Sequence, residues 1–261
     1  MSTKRPKHRK RLVLHDYDNY QDNYEKPRLA SVHPVKMHNF KMKGVSPLTA
    51  NQKLTFAAFD SGAHLMLHGI AGTGKTFLSL YLTLNELLNH KQTQDKIYII
   101  RSIVPTRDMG FLPGDQKEKS KVYEAPYQAI CNELFGRGDA YEILKSKNIV
   151  EFISTSFIRG TTLDNCYVIV DEFANCNFQE LDTVITRVGK NCRLIFCGDF
   201  RQSDLTREQE RNGLKRFINI IKQMSGITYV EFQREDIVRS RFVRDYIIAK
   251  DRFEAGMAET H

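Results

Sequence analysis

The segment GIAGTGKT, at residues 69–76, constrains the fold more than any other feature of this chain. It follows a short apolar run, HLMLHGI (64–70), and precedes a segment with helical spacing from Lys75 to about Asn89. The pattern G-x-x-x-x-G-K-[ST] forms a loop whose backbone N–H groups surround phosphates, and the helix N-terminus adds favourable partial charge. Strand, loop and helix in this order therefore predict a site for ATP and Mg²⁺.

The loop supplies most of the predicted nucleotide contacts. The residues we assign to the nucleotide here are Gly69, Gly72, Thr73, Gly74, Lys75 and Thr76. Lys75 is also a catalytic candidate because its ammonium group can reach the β- and γ-phosphates. The Thr76 hydroxyl is the first predicted ligand of Mg²⁺.

A second motif, YVIVDE (167–172), is an apolar strand that ends in two carboxylates. Asp171 is the predicted partner of Thr76 in holding Mg²⁺, as a carboxylate from a neighbouring strand. Glu172 is the predicted base that polarises the attacking water. Adjacent acids after an apolar run can instead cap a helix. Because a kinase has no need of the second carboxylate, the pair favours hydrolysis over transfer to a small molecule.

A third apolar run, RLIFCGD (193–199), leads into GDFRQ (198–202). Asp199 and Gln202 are expected beside the γ-phosphate if this strand neighbours the strand of Asp171. A glutamine there can orient water or report whether the γ-phosphate is present. The alternative is an ordinary polar loop that leaves the sheet.

Strands and helices alternate from about residue 46. The predicted strands are 64–70, 96–101, 148–154, 166–172, 192–199 and 227–232. The predicted helices are 47–60, 75–89, 119–135, 139–146, 177–188, 211–224 and 238–250. This alternation indicates an α/β fold with a mostly parallel sheet covered on both faces, in which ligands bind at the carboxyl ends of the strands. All three motifs fall there.

The net charge of +8 is concentrated near the N-terminus. Residues 1–45 hold eleven Lys or Arg against four Asp or Glu, which leaves the segment 46–261 close to neutral. A basic arm before a neutral domain is typical of nucleic-acid binding, and it is equally typical of a solubilising tail. The aromatic residues in this arm that could stack on bases are Tyr17, Tyr20, Tyr24 and Phe40.

Composition indicates the redox state of the cysteines and the cellular location of the protein. Five cysteines without C-x-x-C pairs are interpreted as reduced thiols. His64 and His68 lie too far apart along a strand to share a metal ion. No apolar run is long enough to span a membrane, and the basic N-terminus lacks the apolar stretch of a secretory signal. We therefore expect a cytoplasmic protein.

The motifs together resemble a known family. The segments that carry the resemblance are GIAGTGKT, FLPGD (111–115), RGTTLDNCYVIVDE (159–172), TRVG (186–189) and GDFRQSDL (198–205). They are similar in order and spacing to PhoH-like proteins, P-loop ATPases related to superfamily 1 helicases. The resemblance covers about residues 46–250 and implies a three-layer RecA-like domain that acts on nucleic acid, with RNA favoured and single-stranded DNA as the other choice.

The resemblance also implies roles for residues outside the three motifs. Gln52 matches a glutamine that reads the adenine edge in related helicases, although it could be a simple surface residue. Arg101 and Arg159 match positions near strand ends. Arg239 matches the best candidate for an arginine finger, with Arg207 behind it, and either arginine could instead form a structural ion pair.

Several expectations follow for the whole protein. Superfamily 1 motors place two RecA-like domains around one ATP, whereas this sequence supplies one such domain. We therefore expect a homo-oligomer, plausibly a ring, in which Arg239 or Arg207 reaches the site of the next subunit. The loop 102–119 and the basic arm are the expected nucleic-acid surfaces, with Phe111 either a stacking residue or a core anchor. The family sequence D-E-A-Q-N reads D-E-F-A-N here, so Ala174 replaces a glutamine and puts the coupling of hydrolysis to nucleic-acid movement in question. The alternative function is a regulatory ATPase that remodels protein partners.

Overall fold

The computed structural model describes residues 40–89, 93–103, 116–200 and 208–258. The helices in chain order are α1 (Ala50–Asp60), α2 (Lys75–Asn89), α3 (Gln116–Phe135), α4 (Ala140–Ser146), α5 (Phe178–Arg187), α6 (Glu208–Ile221) and α7 (Arg241–Ala258). The strands are β1 (His64–Gly69), β2 (Lys96–Arg101), β3 (Val150–Ser154), β4 (Cys166–Asp171), β5 (Arg193–Gly198) and β6 (Ile227–Phe232). The predicted alternation of strands and helices is confirmed.

The six strands form one sheet in the order β3-β2-β4-β5-β1-β6, and every neighbouring pair is parallel. All carboxyl ends therefore meet at one edge of the sheet, as a ligand site requires. Strand β5 lies between β1 and β4. Our expectation that the Asp171 strand neighbours the loop strand is therefore wrong, because one strand separates them.

Alternation along the strands divides the core into two layers. Val168 and Val170 of β4 pack with Phe196 of β5 in a cluster that α5 and α6 cover. On the opposite face, Ser79 of α2 contacts the buried Cys197 of β5 at 3.0 Å. The sheet is thus covered on both sides, which confirms the three-layer RecA-like architecture.

Side-chain caps explain where two of the helices begin. The Thr49 hydroxyl accepts a hydrogen bond from the Gln52 N–H and caps the start of α1. Asn177 and Glu180 form a reciprocal capping box at the start of α5. Helices α3 and α6 begin three residues earlier than predicted because their first turns are polar and carry no apolar periodicity.

Helix α7 begins three residues later than predicted, at Arg241. The Val238 N–H donates to the Gly72 carbonyl oxygen at 3.0 Å, so this segment is tied to the loop before α2 rather than wound into a helix. Residues 233–240, which include the 3-10 turn Arg234–Asp236, therefore link β6 to α7 at the predicted site.

Residues 40–43, in the segment before α1, pack against the end of α3. The Phe40 ring stacks on Phe135 with 4.1 Å between centroids, and the Lys43 N–H donates to the Leu134 carbonyl oxygen. Phe40 is half-buried by this packing. Its stacking on bases stays a prediction, and Tyr17, Tyr20 and Tyr24 lie outside the described residues.

The five cysteines are free thiols, four of them buried and Cys192 partly exposed. Within the described ranges, no helix has both the length and the hydropathy that a membrane crossing requires.

Candidate nucleotide and metal site

The loop between β1 and α2 is anchored to the edge strand β6. Gly69 has φ of +115°, and a Cβ at this position would overlap the Phe232 carbonyl oxygen. That same oxygen accepts a hydrogen bond of 3.1 Å from the Ile70 N–H. Glycine is required here because the backbone approaches closely at positive φ. Gly72 and Gly74 continue the turn with φ of +78° and +85°.

Lys75 begins α2 and folds back over the loop. Its ammonium group donates to the carbonyl oxygens of Gly69 at 2.8 Å and Ile70 at 2.9 Å. Burial lowers the pKa of Lys75, although the nearby carboxylates, Asp199 foremost, act in the opposite direction. The Thr73 side chain is fully buried and bonds to the Ile70 carbonyl oxygen, so it holds the loop in shape.

Thr76 and Asp171 are in direct contact. The Thr76 hydroxyl donates to Asp171 Oδ1 at 2.7 Å. The other oxygen, Oδ2, accepts a hydrogen bond of 2.9 Å from the Tyr127 hydroxyl of α3. Asp171 is only 4% exposed, so both oxygens of a buried carboxylate have donors.

Glu172 follows β4 in the left-handed region, with φ of 49° and ψ of 41°. Its side chain makes no capping bond to the 3-10 turn Phe173–Asn175, so the alternative reading as a capping residue is wrong. Burial, followed by repulsion from Asp171, raises the pKa of Glu172. A carboxyl group with a raised pKa is suited to accept a proton from water.

Strand β5 pairs with β4. The strand before Asp199 therefore neighbours the strand of Asp171, which is the arrangement on which the expected position of Asp199 depended. Gly198, at the end of β5, lies so close to the turn after Glu172 that a Cβ there would be 2.8 Å from the Phe173 ring. Asp199 is buried beside this contact. Ala174 is also buried and packs in the core cluster, so the position where the family has glutamine is apolar in this chain.

These elements surround a cavity of about 590 Å³. The predicted residues that line it are Gln52, Gly72, Gly74, Lys75, Thr76, Arg101, Asp171, Glu172, Asp199 and Arg239. Helix α3 supplies a further wall through Pro126, Ile130 and Glu133. Arg159 is exposed and is not among the lining residues that the structure describes.

Gln52 lies at the cavity but is 3% exposed, so the interpretation as a surface glutamine is wrong. Its Nε2 donates to the Thr73 carbonyl oxygen at 3.2 Å, and its Oε1 accepts from the Leu48 N–H at 2.8 Å. Both ends of the amide therefore join the loop to the chain before α1. The reading of adenine by Gln52 stays a prediction.

Arg239 lies against the loop of its own chain. A Cβ built on Gly72 would be 3.1 Å from Arg239 Cγ and 3.1 Å from Ile247 of α7. Together with the backbone bond from Val238 to Gly72, this contact places the arginine on the cavity wall. The delivery of Arg239 to a neighbouring subunit stays a prediction.

The sequence model described as PhoH-like protein matches residues 44–250. The chain belongs to this family. Among the curated relatives, a PhoH-like protein of Bacillus subtilis is 33% identical over 215 residues, which are 82% of this chain and 66% of that protein. Protein PhoH of Escherichia coli is 31% identical over 203 residues, 76% of this chain and 56% of that protein. This PhoH-like chain thus spans less than two thirds of the length of either relative.

A solved structure of the large terminase from a thermophilic bacteriophage, in complex with ADP, is similar at a TM-score of 0.46 and 11% identity. The match covers 77% of the PhoH-like chain and 49% of the terminase chain.

Thr76 and Asp171 of the PhoH-like chain fit a divalent cation. They bring a hydroxyl and a carboxylate oxygen together next to the phosphate loop, and oxygen donors are the ligands that Mg²⁺ prefers. A metal held there would stand beside the phosphates that the loop receives.

Two groups of residues complete the comparison with the sequence predictions. Gln202, Arg207, Phe111 and the segment 111–115 lie outside the described residues. The sequence did not predict that Tyr127 and α3 belong to the site, because their approach to Asp171 depends on tertiary packing. The one available signal was Pro126, a proline inside a predicted helix.

Proposed function

We propose that this PhoH-like chain hydrolyses ATP to ADP and phosphate, and that single-stranded nucleic acid, RNA in the first place, stimulates the reaction. The observation that carries the hydrolytic part is the convergence of Lys75, the Thr76–Asp171 pair and Glu172 on one cavity. A hydrolase needs a phosphate cradle, a metal site and a base, and these residues supply all three.

In this proposal each residue has a separate task. Lys75 leaves the carbonyl oxygens of its own loop and binds the β- and γ-phosphates. Glu172 orients a water molecule and takes its proton as the water oxygen attacks the γ-phosphorus, while the bond from this phosphorus to the bridging oxygen breaks and ADP leaves. Thr76 and Asp171 would hold Mg²⁺, which would supply positive charge against the phosphate oxygens.

Two further residues would act on the charge of the transferred group. Arg239 stabilises the negative charge that develops on the γ-phosphate, as an arginine finger does. Gln202, outside the described residues, is assigned to the same oxygens, and its role rests on the sequence alone.

Charge supports the nucleic-acid part of the proposal. The excess of seven positive charges in residues 1–45 is suited to a polyanion. Helix α7 adds exposed Arg241, Arg244 and Arg252 together with Phe242, which is 83% exposed. Cations and exposed aromatic rings are the groups that bind single strands without sequence preference.

A second candidate is an ATPase that remodels a protein partner. The exposed apolar side chains of α7 favour it, since Phe242, Val243, Tyr246 and Phe253 would also suit a protein surface. Turnover in the presence of nucleic acid separates the two candidates.

The experiment is steady-state ATP turnover by the full chain, alone and with single-stranded RNA or DNA, over a range of salt concentration. We expect stimulation that fades as salt rises, because phosphate contacts release counterions. Lys75→Ala should abolish turnover with its fold intact, whereas Lys53→Ala, at an exposed lysine of α1, should leave it unchanged. Turnover indifferent to both nucleic acids would support the protein-remodelling candidate, and no turnover at all would reject hydrolysis.

A further inference from the structure

Tyr127 is a fully buried tyrosine whose hydroxyl reaches the predicted metal site. It lies in α3 with 0% of its surface exposed, 44 residues before Asp171, and donates to Asp171 Oδ2 at 2.9 Å. A buried hydroxyl group aimed at a buried carboxylate forms a strong, charge-assisted hydrogen bond.

The two oxygens of the Asp171 carboxylate accept from two different side chains. Asp171 Oδ1 accepts from Thr76, the second predicted ligand of Mg²⁺. With one donor on each oxygen, the plane of the carboxylate is fixed relative to α2. Loss of the Tyr127 donor would leave the Asp171 carboxylate free to rotate out of this orientation.

The surroundings keep Tyr127 a donor. A carboxylate can only accept hydrogen bonds, so the Tyr127 hydroxyl is the donor of the pair. The Arg101 guanidinium, at the end of β2, lies near the Tyr127 hydroxyl. The hydrogen bonds thus connect Tyr127 through Asp171 to Thr76.

Helix α3 also touches the space where the nucleotide would lie. Pro126 is the neighbour of Tyr127 in the sequence, and Ile130 lies one helical turn after Pro126. Both residues line the same cavity as Lys75. One helix therefore contributes to both the cavity wall and the hydrogen bonding of the metal ligand.

We propose that Tyr127 is a positioning residue that holds Asp171 in the orientation required to bind Mg²⁺ with nucleotide. The inference rests on the proposed site for ATP and Mg²⁺ and extends it to α3. Partners that orient metal ligands commonly contribute about 10-fold or more to metal affinity.

The test compares Tyr127→Phe with Tyr141→Phe. Tyr141 is a matched control because it is 1% exposed and its hydroxyl donates to the Glu124 carboxylate at 2.7 Å, away from the cavity lining. Both variants remove one buried bond from tyrosine to carboxylate. The first measurement is the binding of a fluorescent ADP analogue as a function of Mg²⁺ concentration, and the second is the same binding in EDTA.

We expect Tyr127→Phe to raise the Mg²⁺ concentration for half-maximal binding by about tenfold or more while affinity in EDTA stays unchanged. Tyr141→Phe should lower the midpoint of thermal unfolding to a similar extent without moving the Mg²⁺ requirement. Equal Mg²⁺ dependence in the two variants would overturn the proposal. If Tyr127→Phe does not fold, Tyr127→Met takes its place, since methionine adapts to the space without a hydroxyl donor.

The outcome is separable from that of the proposed hydrolysis. Binding and its Mg²⁺ dependence need no turnover, so a chain that binds the analogue without hydrolysing ATP would still decide the role of Tyr127. Nucleotide binding by the wild-type chain that is indifferent to Mg²⁺ would overturn this inference directly.

Discussion

Thr76 and Asp171 are 95 positions apart in the sequence, yet the threonine hydroxyl donates to the aspartate at 2.7 Å. The contact spans β5, which lies between the strands that carry the two motifs. Because these strands are parallel, the end of β4 and the start of α2 face each other across the end of β5. The fold thereby assembles the predicted metal site from two segments that are each recognisable alone.

The first prediction concerns Glu172 as the base. Glu172→Gln keeps the size of the side chain but removes proton acceptance, so we expect turnover to fall by about 10²–10⁴. Binding of the fluorescent ADP analogue should be retained, which a direct titration checks. As a control, Glu231→Gln alters an exposed carboxylate on the edge strand β6 and should leave turnover unchanged. Near-normal turnover in Glu172→Gln would remove the residue from the proposed mechanism.

The same variant should show a pH-dependent gain in stability. Burial raises the pKa of Glu172, so the folded state binds this proton more tightly than the unfolded state does. The charged side chain therefore destabilises the fold above the ordinary pKa of glutamate. We expect Glu172→Gln to unfold at a higher temperature than wild type near pH 7, and the difference to disappear as the pH falls below about 4. Thermal unfolding at a series of pH values checks this, and a difference that grows toward acid pH would contradict it.

The sequence predicted the parts of the site that lie in continuous motifs. Lys75, Thr76, Asp171 and Glu172 each follow an apolar strand, and the parallel sheet then brings the strand ends together. Local pattern alone does not encode strand order, which is why the insertion of β5 between β1 and β4 was missed. That order depends on which apolar faces α2, α5 and α6 cover.

Two side chains near the site could be judged only in three dimensions. The apolar pattern of α1 does not show whether Gln52 is exposed or packed against a loop. In the fold, its side-chain amide donates to the Thr73 carbonyl oxygen. Tyr127 belongs to a helix with a weak apolar pattern, and its partner Asp171 is distant in sequence. Such contacts follow from the packing of α1 and α3, which no single-segment signal reports.

The next prediction tests the close approach of β5 to the turn after Glu172. In Gly198→Ala, the new Cβ would lie 2.8 Å from the Phe173 ring and 3.2 Å from the Ala174 nitrogen. We expect a loss of about 1–3 kcal/mol in the free energy of unfolding, since the packed ring and the turn must move. Turnover should fall as well, because Glu172 and Asp199 flank this contact. Denaturant unfolding and ATP turnover are the measurements.

Gly138→Ala is the matched control for that experiment. A Cβ at Gly138 meets no atom within 4 Å, and its φ does not lie in the positive range. This variant should therefore fold and turn over ATP like the wild type. Equal stability of the two alanine variants would show that the Phe173 contact is not tight in solution.

The last prediction separates an arginine that acts within its own chain from one delivered to a neighbour. Arg239 lies beside Gly72 of its own loop, so Arg239→Ala should reduce turnover by a factor of about 10³ or more if it acts as a finger. Arg211→Ala is the control, because Arg211 is an exposed arginine of α6 that does not line the cavity. Mixing Arg239→Ala with Lys75→Ala chains then tests the source of the arginine. If Arg239 acts within its chain, the mixture should stay inactive, since each chain lacks one essential group. Recovered turnover would mean that a Lys75→Ala subunit donates its Arg239 to the intact loop of its neighbour, which would establish the shared site expected of a homo-oligomer.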